Sequence, residues 1–149
     1  MKQNVIILLF MMTGFGLHAK TLNGGKVDPL IENEFKKEFG PSLRVSWEIV
    51  EDISIATFIE KGEERHVYYF SDGQVLGFGK TIDKTLLPET ISRSISKKFT
   101  SGVIENVYEF KTPDSPTRYF VRIATPTYSV VASANEFGNL DIKLKERSR

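Results

Sequence analysis

Residues 65–78, RHVYYFSDGQVLGF, set Tyr68, Tyr69 and Phe70 in a row ahead of Asp72-Gly73, then resume with an apolar run that carries Gly77, with Gly79 just beyond. Asp-Gly between two apolar runs is a strong hairpin signal. A two-residue turn there places Phe70 opposite Val75, Tyr69 opposite Leu76 and Val67 opposite Phe78. Working outward, a turn at residues 61–64 sets Phe58 opposite Val67 and Ala56 opposite Tyr69, and Glu51-Asp52 brings Trp47 opposite Ala56 and Val45 opposite Phe58. Because side chains alternate along a strand, one face then collects Val45, Trp47, Ile49, Ala56, Phe58, Val67, Tyr69, Leu76 and Phe78. That face is expected to pack on a helix. His66, Tyr68 and Phe70 point the other way, beside Ile55, Thr57 and Ile59, with Gly77 and Gly79 across from Tyr68 and His66. Rings beside bare backbone either shield the sheet or form a shallow recess for a partner's side chain.

The helix is read just upstream. Asp28 followed by Pro29 has the form of a cap and first helical position. Val27, Ile31, Phe35 and Phe39 then recur every four residues, and Gly40 can end the helix. The spacing returns at Leu87, Ile91, Ile95 and Phe99, with Pro88 at the start and Gly102 beyond the end. Turn signals near Thr112 to Thr117, Thr125-Pro126 and Glu136 to Gly138 divide the remainder into four extended stretches. A three-residue Glu136-Phe137-Gly138 loop groups Tyr119, Val121, Ile123, Tyr128, Val130, Ala132, Leu140, Ile142 and Leu144 on one face. The other face carries Arg118, Phe120, Arg122, Ser129, Ser133, Asp141, Lys143 and Lys145, the composition of a solvated surface. The stretch VIENVYEF, 103–110, does not alternate cleanly, which suggests a bulge. The expected fold class is α+β, a tandem repeat of one helix packed on a four-stranded antiparallel sheet, with two helices and about eight strands. Its repeats are 27–82 and 87–146, and the pattern leaves open whether they share one sheet.

The N-terminus, MKQNVIILLFMMTGFGLHAK, has the layout of a secretory signal peptide: Lys2, an apolar stretch from Val5 to about Leu17, and Ala19 at the expected cut. A spanning helix needs roughly 20 apolar residues, more than this run supplies. The domain reading is a signal peptide at 1–19, a flexible lead at 20–26 and one domain at 27–149, placed in the periplasm or outside the cell. No cysteine is present, so packing rather than disulfides must hold an exported fold. Removing Lys2 takes the 20 basic residues to 19, against 19 acidic ones, and this balance gives no electrostatic footprint for nucleic acid.

These features resemble a family of small exported proteins of Bacteroidetes-type bacteria with a PepSY-like, or beta-lactamase-inhibitor-like, fold. The resemblance rests on VSW at 45–47, ATF at 56–58, VYYFSDGQVLG at 67–77, LPETISRSISKKF at 87–99, IENVYEF at 104–110 and YFVRI at 119–123. It implies two helix-plus-sheet repeats whose sheet faces away from the helices form a concave surface. In the inhibitor relatives that surface grips an enzyme, and a role in restraining secreted peptidases has been proposed for PepSY relatives. The absence of cysteine departs from the disulfide-stabilised inhibitors, and no inhibitory loop matches residue by residue.

Beyond the signal segment the only histidine is His66, which excludes a multi-imidazole metal site, and no metalloprotease motif or calcium loop appears. GFG at 77–79 lacks the third glycine and following helix of a phosphate loop. The expectation is a non-catalytic module without cofactor that binds an envelope or secreted protein or peptide. The candidate contacts are Arg44, His66, Tyr68, Phe70, Phe120, Arg122 and Lys143. Two other classes stay open: a carrier of a small apolar or anionic ligand, and a small hydrolase pairing His66 with a serine such as Ser46.

Overall fold

The computed structural model of the chain describes residues 26–148. The expected signal peptide at 1–19 and nearly all of the lead at 20–26 lie outside the described residues. Eight strands run in sequence order through one antiparallel sheet. They are β1 (Val45–Val50), β2 (Ile53–Glu60), β3 (Glu63–Tyr69), β4 (Val75–Ile82), β5 (Val103–Thr112), β6 (Ser115–Ala124), β7 (Tyr128–Asn135) and β8 (Leu140–Arg147). Helix α1 (Pro29–Phe39) precedes β1, and a 3-10 turn at Lys84–Leu86 followed by α2 (Glu89–Lys98) joins β4 to β5. The expected α+β tandem repeat of a helix on a four-stranded sheet is thereby corrected to a mostly β chain: a single eight-stranded sheet with helices of only 11 and 10 residues. Turn chemistry reveals hairpins, whereas no turn specifies how the strands flanking residues 83–102 pair, so the pattern could be followed only four strands at a time.

The chain divides into two compact units at Lys80/Thr81. In the unit before this boundary, the Asp28 carboxylate accepts the Leu30 N–H at 2.8 Å, Pro29 fills the first helical position, and Gly40 ends α1 at φ +90°. Val27, Ile31 and Phe35 pack on Ala56, Phe58, Val67 and Tyr69. Phe35 is the hub, meeting Trp47 and Phe58 edge-on at 5.6 and 5.1 Å between ring centroids. Lys61 and Gly62, at φ +52° and +80°, form a two-residue turn that pairs Glu60 with Glu63. Ala56 therefore faces Val67, and Phe58 faces Arg65, a shift of two residues from the expected register. A shift of two keeps every side chain on its expected face.

The Asp72-Gly73 hairpin differs in kind from the expected two-residue turn. The Gly73 N–H donates to the Phe70 carbonyl at 3.0 Å and the Phe70 N–H to the Gln74 carbonyl at 2.9 Å, which encloses Ser71, Asp72 and Gly73 in a three-residue loop. Gly73 takes φ +84° there, and the ladder shifts so that Tyr69 faces Val75 instead of Leu76. Val67 opposite Phe78, Tyr68 opposite Gly77 and His66 opposite Gly79 stand as expected.

In the second unit, Leu87, Ile91, Ile95 and Phe99 pack on Val107, Val121, Ile123, Val130 and Ala134. The suspected bulge in 103–110 falls at Glu105, where the pairing steps from Ile104–Ile123 to Asn106–Arg122. Glu136, Phe137 and Gly138 form the expected three-residue loop, with the Asn135 Oδ1 accepting the Phe137 and Asn139 N–H groups at 3.1 and 3.0 Å. Further irregularities, between Phe110 and Thr112 and at Lys143, were not anticipated, and the Lys143 bulge is the one that matters for the faces of β8. It moves Leu144 to the face away from α2 and brings Lys145 to the helix side, 4.1 Å above the Tyr128 ring.

Both loop glycines sit at φ +84°, yet their surroundings differ. A Cβ on Gly73 would meet Leu30 Cγ at 3.4 Å, an ordinary contact, while one on Gly138 would lie 2.6 Å from the Thr90 carbonyl oxygen. Gly73→Ala is expected to lower stability by about 1 kcal/mol through left-handed backbone strain alone, and Gly138→Ala by more than about 2 kcal/mol. Equilibrium urea unfolding checks the order of the two. Tyr69 offers a gain instead, since its buried hydroxyl has no hydrogen-bond partner among the described residues. Tyr69→Phe should stabilise the chain by about 1 kcal/mol and raise the melting temperature, whereas a drop would reveal a hydrogen bond at that oxygen.

Candidate functional site

In the first unit the face turned away from α1 is laid out by β2 and β3. Ile53, Ile55 and Tyr68 are buried on it, and His66 is 4% exposed. Tyr68 lies between Ile55 and Gly77 across the sheet, and His66 between Thr57 and Gly79. Both glycines are buried. Phe70, just past the end of β3, is half-buried, and Arg44, one residue before β1, is exposed. The structure thus sets His66 and Tyr68 side by side on one strand with Phe70 next in line, and leaves Arg44 at the head of the edge strand.

His66 Nε2 stands 3.3 Å from Glu64 Oε1. Burial depresses the imidazole pKa below its ordinary 6.5, and the Glu64 carboxylate opposes that shift without cancelling it. Thr57 separates His66 from Ser46, because Ser46 pairs with Thr57 and Thr57 with His66. Two strand spacings put that serine roughly 9–10 Å from the histidine backbone. The His66–Ser46 pairing of the alternative small-hydrolase reading is not assembled.

In the second unit the corresponding side of the sheet is ordered by β6. Phe120 sits between Tyr108 and Ser133, and Arg122 between Asn106 and Val131. Phe120 is 1% exposed and Arg122 5% exposed, with Tyr108, Val131 and Ser133 also buried. This face, expected to be a solvated surface, is instead largely buried, and Tyr108 and Phe110 from β5 are buried on it as well. The basic side chains that simple alternation gathers on this face, Arg118, Arg122, Lys143 and Lys145, are also separated. Lys143 occupies the β8 bulge, half-buried and ion-paired to Asp141, whose carboxyl is held below its usual range by that contact, and Lys145 lies on the helix side. Tyr108 was missed in the sequence because the Glu105 bulge interrupts the alternation on which face assignment depends.

A cleft of about 420 Å³ opens in this unit where the end of β4 meets the β5 bulge, lined by Ile82, Asp83, Lys84, Ile104, Glu105 and Asn106 among others. The Asp83 carboxylate there is engaged by the Thr85 N–H and hydroxyl at 2.8 and 2.7 Å. Among the described residues no three histidine, cysteine or carboxylate side chains gather as a metal site, and no helix is long and apolar enough to cross a membrane.

With this geometry in hand, likeness to solved structures defines the class. The chain has the fold of a group of Bacteroides proteins that includes DUF2874 family and BLIP-like members. A candidate periplasmic protein of Bacteroides eggerthii DSM 20697 matches with a TM-score of 0.70 at 15% identity, over 83% of this chain and 90% of its own. A DUF2874 family protein of Bacteroides uniformis matches with a TM-score of 0.70 at 15% identity, over 82% and 90%. A BLIP-like protein of Bacteroides fragilis matches with a TM-score of 0.65 at 18% identity, over 83% and 87%. The inhibitor-like half of the expected resemblance is supported at the level of fold, and none of these three carries the PepSY name. No protein-family model matches the chain, and no curated protein does.

The His66 environment makes stability depend on pH in a defined direction. A histidine whose folded pKa is depressed binds fewer protons than the unfolded chain, so its contribution is complete above about pH 6.5 and declines as pH falls through that value. The melting temperature should fall between pH 7 and 5, ahead of carboxylate titration, and His66→Asn should flatten that step. An unchanged slope in the variant would assign the effect to other groups.

Proposed function

We propose that the protein is an exported, non-catalytic protein-binding module of inhibitor-like architecture, acting through the sheet face turned away from its helices. The observation that carries this reading is the likeness of fold to a BLIP-like protein, in a chain whose central strands lose the alternation of a sheet with one solvated face. Ile53, Ser54, Ile55 and Ala56 are buried in succession on β2, and Val130, Val131, Ala132, Ser133 and Ala134 on β7. An antiparallel sheet with one solvated face alternates apolar and polar side chains, so strands of this composition are made to be covered on both sides. In each unit the helix covers one side. On the other side Tyr68, His66, Phe120 and Arg122 are themselves buried within the chain, so the accessible contacts there are half-buried Phe70 and exposed Arg44, an aromatic ring and an arginine of the kinds enriched at protein interfaces.

Export is supported by the layout of residues 1–19 and by the description of the Bacteroides eggerthii neighbour as a candidate periplasmic protein. The BLIP-like neighbour favours an envelope or secreted protein as partner over a small molecule. The polar-lined cleft near Asp83 gives no enclosed apolar chamber for a carried ligand.

The test is affinity capture by residues 20–149 from the envelope fraction of the source organism, run beside a Phe70→Ser/Arg44→Glu variant. Neither residue is buried, so the variant should melt within a few degrees of the parent. Loss of a ring and reversal of a charge are expected to reduce capture about tenfold or more. Undiminished capture by the variant, or no partner for either protein, would remove the binding reading.

A further inference from the structure

The two outer strands of the sheet are unlike. β8 carries the Lys143 bulge and the sequence LDIKLKER, with Lys143, Lys145 and Arg147 along its length. Bulges and lysines are the usual means by which an edge resists pairing with another chain. β1 has neither. Its sequence VSWEIV pairs with β2 without interruption from Val45 to Val50, contains no proline or lysine, and leaves Ser46 exposed and the other five residues half-buried. Trp47 is among them, so a ring that packs on Phe35 also remains partly accessible at the edge of the sheet. Among the described residues no strand pairs with the outer side of β1, and Glu48 is the one charged side chain along it.

We propose that β1 pairs antiparallel with β1 of a second copy, forming a two-fold symmetric dimer through this edge. The choice of a second copy rests on self-complementarity. A two-fold axis perpendicular to the sheet keeps the helix-packed sides of both copies together, which requires residues of like parity to face each other. The register centred on Trp47 pairs Trp47 with Trp47, Val45 with Ile49 and Ser46 with Glu48. Its helix side is then entirely apolar, and no like charges meet. Centring one residue later opposes Glu48 to Glu48, and centring one residue earlier leaves only Val45, Ser46 and Trp47 paired within the strand. The edge used is the backbone rim of β1, while positions 46 and 48 lie on the face away from α1, so the dimer is read from the self-association of the purified protein and not from partner capture.

Position 46 tests both the dimer and its register, because it is exposed and its change should leave the fold intact. Sedimentation of the purified protein up to roughly 100 µM should show a reversible dimer. Ser46→Glu, which sets two glutamate pairs against each other, should weaken it about fivefold or more. Ser46→Lys, which faces Glu48, should match or tighten the wild type, and Ser46→Glu/Glu48→Lys should restore it. Since the chain has no cysteine, mixing Ser46→Cys protein with Glu48→Cys protein should yield an oxidised cross-link that neither forms alone. A monomer throughout the range, or a dimer indifferent to the sign of the charge at 46, would overturn the proposal.

Discussion

The backbone ladder between sequence neighbours is the constraint from which the other features follow. Side chains alternate with period two, so the identity of each face depends on whether the residue count between paired positions is even or odd. The Lys61-Gly62 turn illustrates the tolerant case. It displaces the β2–β3 pairing by two from the expected register, and the apolar set that meets α1 is unchanged. The Lys143 bulge illustrates the intolerant one. A single extra residue transfers Leu144 and Lys145 across the sheet and takes apart a basic cluster that simple alternation would have assembled.

The helices are secured to this ladder through contacts that begin in the loops. Gly138 lies so close to the first turns of α2 that no side chain could stand there, and the Thr90 hydroxyl donates to the Glu136 carbonyl at 2.6 Å. The loop therefore helps position the helix whose Ile91 and Ile95 fill the core of its unit. Phe35 serves the corresponding purpose in the first unit, where ring packing on Trp47 and Phe58 ties α1 to β1 and β2. In a chain without cysteine, such noncovalent contacts take the place that disulfides hold in many small exported folds.

Much of this was legible because the relevant signals are local. Asp28-Pro29 and the Val27, Ile31, Phe35 spacing marked α1, and Val67 opposite Phe78 followed from an Asp-Gly turn even though that turn proved to hold three residues. The Glu105 bulge left a trace as broken alternation in VIENVYEF. Lys143 left none, because the composition of β8 suits either face. The continuity of the sheet past residues 83–102 was beyond reach for a different reason: it depends on pairing between distant strands, which turn residues do not encode. Among the candidate contacts, His66 and Tyr68 were placed on their correct side by parity. Parity says nothing about accessibility, and the burial of Phe120 and Arg122 could not be read from it, as the facing of β5, which brings Tyr108 and Phe110 to the same face, was left open.

The strand order has a kinetic meaning as well. In sandwiches and closed barrels, strands distant in the chain must find one another before the sheet can form, and such topologies fold slowly. Here six of the seven strand junctions are hairpins, each closed by a short connection. Loop-closure entropy is thus met in small increments, and only the junction from β4 to β5 waits for a helix. A meander of this kind can grow by adding each new strand to the last one formed.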